Sequence, residues 1–100
     1  MLTKAIFATL VAKDGKEKEV EKFLRSARPL IDDEEGTITW YAVKISEHKY
    51  GIFDTFKDDS GRQVHLHGQV AAALKKRAPE LFAEAPILQQ YDVIADNSEY

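Results

Sequence analysis

The sequence predicts an α+β fold of the ferredoxin-like type, in which a four-stranded antiparallel sheet carries both helices on one face. Three observations indicate this fold: the predicted elements follow the order βαββαβ, the second and third strands form a hairpin, and the chain has 100 residues. A chain of this length builds a modest core, so we expect residues 1–100 to form a single domain.

The first part of the chain reads as a strand followed by an amphipathic helix. In Leu2–Ala12 both the odd-numbered and the even-numbered residues are mostly apolar. This pattern is typical of a central strand that is buried on both faces. Asp14 and Glu17 have the spacing of a capping box, and apolar residues then recur at helical spacing as far as Ile31. The acidic run 32–35 lacks the alternating spacing of cation ligands, so we predict no metal there.

The predicted hairpin joins Thr37–Ser46 to Tyr50–Phe56, which are both rich in β-branched and aromatic residues. A three-residue loop would place Trp40 opposite Phe56. Side chains alternate across a strand, so the two faces carry different sets. One face is predicted to hold Trp40, Ala42, Lys44, Ile52, Asp54 and Phe56, and the other Thr39, Tyr41, Val43, Phe53 and Thr55. Both sets contain large apolar groups, so we expect helices over the first face and a second copy of the chain over the other.

The last part of the chain is predicted to contain helix, helix and strand. Ser60 and Gln63 have capping-box spacing and open a helical region that is expected to bend or break near Gly68. Pro79 fits the first turn of a further short helix, 79–84. Residues 87–95 form the last strand candidate.

Composition and charge exclude several classes of function. The chain has 14 basic and 17 acidic residues, a net charge of −3, and no cysteine. This balance gives no electrostatic reason to expect nucleic acid or a membrane surface as a partner. Without thiols the chain fits a reducing compartment, and it shows neither a long apolar run nor a leader pattern, so we expect a cytoplasmic protein.

Four segments carry a resemblance to a known family: Gly36–Tyr41, Tyr50–Asp58, Val64–Leu66 and Pro86–Ala95. Together they resemble the antibiotic biosynthesis monooxygenase family, the dimeric α/β-barrel proteins. The resemblance implies a homodimer with sheets packed face to face. It also implies oxygenation of phenols or quinols by O2 with neither flavin nor metal, although the family includes proteins without demonstrated activity. Asp54 stands where the family usually has glutamate, and Phe56 where it often has tryptophan.

The face that carries Trp40 is the candidate active site. Cofactor-free oxygenation needs an apolar slot for a flat ring, a base and one or two donors. Trp40 and Phe56 would be aromatic walls, and Asp54 would be the base, since apolar surroundings raise a carboxyl pKa. Lys44, on the diagonal from Asp54, could neutralise it instead. The alternative is a core tryptophan and phenylalanine beside an Asp-Lys cross-strand pair.

Two histidines compete for the site. His65 matches the family's His-Leu, whereas helical periodicity favours His67, and either one could simply satisfy a local hydrogen bond. Residues two apart on a helix diverge too far to chelate a metal together. Tyr41 is expected on the dimer face, as an interface anchor or a substrate contact.

These residues favour a cofactor-independent monooxygenase acting on a small phenol or quinol. The alternative is a non-catalytic dimer of the same fold that binds a small ligand. Haem degradation is a third hypothesis. Relatives of this fold that degrade haem use a helix histidine as iron ligand, together with an asparagine on the first strand and a tryptophan at the end of the third strand. Here His65 alone matches, because the first strand has no asparagine and Phe56 replaces the tryptophan.

Overall fold

The computed structural model describes residues 2–97, in which three helices pack on one face of a four-stranded antiparallel sheet. The elements are β1 (Lys4–Val11), α1 (Glu17–Asp32), β2 (Thr37–Lys44), β3 (Lys49–Phe56), α2 (Asp59–Leu66), α3 (Gln69–Leu81) and β4 (Ile87–Asp92). The strand order is β2-β3-β1-β4, so β1 is central as predicted. This arrangement confirms the ferredoxin-like fold. Within the described range, no helix has the length and apolarity that crossing a membrane requires.

The core lies between the sheet and the helices. Leu10, Tyr50 and Ile52 project from the central strands against Val20 and Leu24 of α1. The predicted break near Gly68 is confirmed, because α2 ends at Leu66 and Gly68 is the N-cap of α3.

The predicted hairpin register was wrong by two residues, although both faces were assigned correctly. The loop spans 45–48, and Ile45 N donates a hydrogen bond to Lys49 O. Lys44 therefore lies opposite Tyr50, and Trp40 lies opposite Asp54 rather than Phe56. Because the shift is an even number of residues, each side chain keeps its face.

Several predicted element ends also differ from the structure. Helix α1 begins at Glu17 with Lys16 as N-cap and no side-chain cap, so Asp14 forms no capping box. The cap of α2 is Asp58, whose carboxylate accepts a hydrogen bond from Gly61 N, and Ser60 lies inside the helix. Pro79 lies in the last turns of α3 and opens no new helix. Strand β4 ends at residue 92, three residues before the predicted end.

The sheet face away from the helices is apolar and exposed. Tyr41, Val43, Phe53, Ile87 and Tyr91 line this open face. The ring of Phe7 lies over Gly51, where a Cβ atom would come 2.8 Å from it. The open face therefore presents a row of rings across the middle of the sheet.

Two glycines bring the α1–β2 loop against α2. A Cβ atom on Gly36 would lie 2.6 Å from Gly61 Cα, and one on Gly61 would lie 2.9 Å from Gly36 O. Neither position tolerates a side chain without a backbone shift. This close approach fixes Glu34, in the same loop, beside His65 of α2.

Gly61→Ala is expected to destabilise the protein by about 1–3 kcal/mol, because the added methyl group overpacks this contact. Alanine is normally worth roughly 1 kcal/mol more than glycine inside a helix, so a loss would isolate the steric effect. Urea unfolding measures the change. Ser60→Ala, at the exposed neighbouring position, is the control, and equal stability of the two variants would contradict the expectation.

Candidate active site

His65 lies between two carboxylates that come from different parts of the chain. Its Nδ1 is 2.7 Å from Glu34 Oε1 and its Nε2 is 2.8 Å from Asp54 Oδ2. Asp54 is 1% exposed and His65 is 8% exposed. The α1–β2 loop, α2 and β3 thus converge on a Glu34–His65–Asp54 triad, in which Asp54 and His65 are buried and Glu34 is partly buried.

Glu34 is held firmly in place. Its Oε1 also accepts a hydrogen bond of 2.8 Å from Thr37 Oγ1 at the start of β2. Its Oε2 lies against Gly68, where a Cβ atom would be 2.9 Å away. A carboxylate at this place, near the N-terminus of α3, also receives the favourable field of the helix dipole.

Asp54 and His65 each have a pKa above the ordinary value for that side chain. Burial raises the pKa of Asp54 above its ordinary value of 3.8, and the hydrogen bond from His65 only partly opposes this. Burial lowers the pKa of His65, but the hydrogen bonds and charges of Asp54 and Glu34 more than offset it, so that this pKa is raised above 6.5. Since each ring nitrogen faces a carboxylate oxygen, the doubly protonated imidazolium is the form of His65 that can donate to both.

Two buried polar atoms beside the triad have no hydrogen-bond partner. Within residues 2–97 they are Trp40 Nε1, a donor, and Asp54 Oδ1, an acceptor. They belong to residues that lie directly opposite each other on β2 and β3. Leaving such a group unsatisfied costs about 1–3 kcal/mol. A hydroxyl group, which both donates and accepts, has the chemistry to satisfy the pair.

A small cavity and two open clefts meet at Trp40. The cavity, of about 30 Å³, is lined by Trp40, Asp54, His65 and mostly aliphatic side chains. This volume suits one water molecule or hydroxyl group. Trp40 also lines a cleft of about 480 Å³ between α1 and β2, here called the α1–β2 cleft, and a second cleft of about 430 Å³ near the start of β2.

The other predicted site residues lie apart from the cavity. Phe56 is fully buried, and its ring centroid is 5.2 Å from that of His65, so it supports the histidine and does not line the cavity. The alternative interpretation, an Asp54–Lys44 pair, is wrong, because Lys44 Nζ lies 3.4 Å from Glu21 Oε2. His65 is the cation beside Asp54.

Tyr41 and His67 point elsewhere. Tyr41 is 57% exposed on the open face. His67 is exposed, with Nδ1 2.8 Å from Gln63 O. The periodicity that favoured His67 assumed one continuous helix, whereas α2 ends at Leu66.

One possible metal-binding group lies away from the triad. Asp14, Glu17 and His48 place ligand atoms within 4.8 Å of one another, the one such group found among the described residues. His48 Nδ1 is already hydrogen-bonded to Glu17. Asp14 is exposed, and nothing further indicates a cation there.

Sequence reasoning missed Glu34, which is the second partner of His65. The available signals were the acidic run 32–35 and the glycine that ends it. Neither reveals which carboxylate turns inward, because that depends on the contact between Gly36 and Gly61.

Comparison with known proteins identifies relatives among solved structures. No protein-family model and no curated protein matches the sequence. NE2512, a protein of unknown function from Nitrosomonas europaea, is 40% identical with a TM-score of 0.97, over 100% of this chain and 97% of that one.

Two structures named as putative antibiotic biosynthesis monooxygenases are also similar. One, from Nitrosomonas europaea, has 10% identity and a TM-score of 0.84 over 96% of this chain and 94% of its own. The other, from Caulobacter crescentus CB15, has 18% identity and a TM-score of 0.82 over 94% and 92%. These two share the fold that the sequence resemblance implied.

Proposed function

Since the chain belongs to the family of NE2512 and has the fold of the putative antibiotic biosynthesis monooxygenases, we propose that it is a cofactor-independent monooxygenase that oxidises a small phenol or quinol with O2. The observation that carries the proposal is the unpartnered, buried Oδ1 of Asp54 beside an unpartnered Trp40 Nε1–H. A phenolic hydroxyl would donate to the carboxylate and accept from the indole.

Asp54 would then act as the base that removes the phenolic proton. Its raised pKa lies closer to the pKa of a phenol than an ordinary carboxyl pKa does. Proton transfer from the phenol to Asp54 is therefore less unfavourable. The imidazolium of His65, hydrogen-bonded to Oδ2, holds the carboxylate in position and stabilises the negative charge nearby. Glu34 fixes the histidine from the other side.

The reaction needs no external reductant. The deprotonated ring transfers electrons to O2, and a carbon–oxygen bond forms at a hydrogen-bearing ring carbon ortho or para to the phenolate oxygen. The resulting hydroperoxide loses water to give a quinone. One oxygen atom of O2 ends in the quinone and the other in water, and the substrate supplies all the electrons.

An aromatic ring enters only if Trp40 moves, because the cavity holds no more than a hydroxyl group. Trp40 is the residue that the cavity shares with both clefts. Rotation of its side chain would join the cavity to a cleft large enough for a ring, and the indole would then lie beside that ring.

The test is O2 uptake by chelator-treated protein with a panel of naphthols and hydroquinones. We expect one quinone per O2 consumed, with one labelled atom in the quinone when 18O2 is supplied. A blank across the whole panel would reject the enzyme and favour the binding protein of the same fold. Loss of activity on metal removal would reject the cofactor-free mechanism.

The third reading, haem degradation, is opposed by the geometry of His65. Both ring nitrogens are within 2.8 Å of carboxylate oxygens, so neither offers a lone pair to iron. The residues present therefore do not fit a haem ligand.

We also propose that a second copy of the chain covers the open face. Phe53 lies in the middle of this face, between Tyr41 of β2 and Phe7 of β1. Exposed apolar surface that spans a whole sheet is typical of an interface. A two-fold arrangement would pack the two open faces together.

Phe53→Lys is expected to raise the dimer dissociation constant at least about 30-fold, because it places a charge at the interface centre (~2 kcal/mol or more). Sedimentation equilibrium measures this change. Val64→Lys is the control, since Val64 is 59% exposed on α2. Equal dissociation constants for the two variants would place the interface elsewhere.

A further inference from the structure

The α1–β2 cleft concentrates positive charge in an acidic protein. Three cationic side chains line it, Arg25, Arg28 and Lys44, against one acidic side chain, Glu21. The chain as a whole has a net charge of −3. The cleft is therefore a place where a small anion is favoured over a neutral molecule.

The acidic residue of the cleft is already engaged. Glu21 Oε2 accepts a hydrogen bond of 2.7 Å from the Tyr50 hydroxyl and lies 3.4 Å from Lys44 Nζ. The side-chain hydrogen bond from Tyr50 contributes most to lowering the pKa of Glu21, which keeps it ionised. Glu21 thus orders Lys44 at the cleft, and its charge offsets only part of the positive charge there.

The two arginines retain donors for a ligand. Arg25 lies 3.7 Å from Glu21 Oε1, and Arg28 lies 3.7 Å from Asp32 Oδ2, beyond ordinary hydrogen-bond distance. Guanidinium groups match the planar geometry of a carboxylate and bind it through paired N–H donors.

The walls of the cleft are suited to an aromatic ring. Leu24, Trp40, Ala42 and Tyr50 provide apolar surface between the cations, and Trp40 is shared with the cavity beside Asp54. The second cleft is a poorer place for an anion, since Asp32 and Glu34 line it with Arg28 as the one cation.

We infer that the substrate is a hydroxylated aromatic acid, whose carboxylate is held by Arg25 and Arg28 while its hydroxyl group reaches Asp54. This inference rests on the proposed function, because it places the ring between that cleft and the cavity. The arginines would determine specificity, and Asp54 would remain the base.

Calorimetric titration of the protein with three ring-matched ligands tests the inference. The ligands are 2-naphthol, 6-hydroxy-2-naphthoate and the methyl ester of the latter, which matches its size without the charge. The indole N–H signal of Trp40, the single tryptophan, reports binding at the site in NMR spectra. The variants are the double substitution Arg25→Gln with Arg28→Gln, and Lys18→Gln, which removes a charge from the exposed side of the same helix.

We expect the carboxylate to bind about fivefold or more tightly than naphthol or the ester. This advantage should shrink with added salt, disappear in the double variant and persist in Lys18→Gln. Three results would overturn the inference. They are equal binding of the acid and its ester, tighter binding of the acid that survives in the double variant, and no binding of the acid. Oxygen uptake from naphthol with no carboxylate advantage would retain the proposed function alone, whereas tight carboxylate binding without oxygen uptake would retain the binding site alone.

Discussion

Asp54→Asn is expected to lower kcat for phenol oxidation by about 10²–10⁴-fold, which is the usual contribution of a general base. The amide retains the size of the side chain and can still pair with a hydroxyl group, but it accepts no proton. We therefore expect KM to change little. Steady-state O2 uptake with the best substrate of the panel measures both constants.

Asp33→Asn is the matched control, because it removes a carboxylate from an exposed position in the loop after α1. It should keep kcat within about twofold. Thermal unfolding of both variants would show that the fold is retained. Turnover of Asp54→Asn within threefold of that of the unsubstituted protein would mean that another group takes the phenolic proton.

His65→Ala is expected to destabilise the protein by about 3–5 kcal/mol at pH 7, because Asp54 and Glu34 would be left with no cation between them. The cavity left by the imidazole adds to this loss. Urea unfolding gives the free energy. His67→Ala is the control, since His67 is exposed and lies outside the triad. If His65→Ala lost as little stability as His67→Ala, His65 would not be a structural cation.

The same residue predicts how stability depends on pH. The folded-state pKa of His65 is raised above 6.5, so its stabilising contribution is complete below that pH and is lost as pH rises through the folded value. Within that window the free energy of unfolding should fall by up to about 1.4 kcal/mol per pH unit. The slope should be absent in His65→Ala.

The fold was accessible from sequence because its signals are local. Strand parity, the apolar stripe of α1 and the helix break at Gly68 each depend on a few neighbouring residues. The cross-strand partner of Trp40 was wrong because it depends on the length of the hairpin loop, which composition does not determine.

The site was only partly predictable for a different reason. Asp54 and Trp40 were placed on the correct face by alternation, and His65 was chosen by family resemblance against its own periodicity. Glu34 could not be found, since its role follows from a tertiary contact between Gly36 and Gly61. The chemistry of the triad therefore depends on how closely two backbone segments approach each other.

Adjacent residues of β3 serve opposite sides of the sheet. Phe53 points to the open face and Asp54 to the cavity, while Thr55 Oγ1 is 2.6 Å from Thr39 Oγ1. A single peptide unit thus connects the proposed interface to the carboxylate of the proposed base. A displacement of β3 would therefore affect both the proposed interface and the proposed base, whereas Ile87 and Tyr91 lie on the outer strand β4, which does not pair with β3.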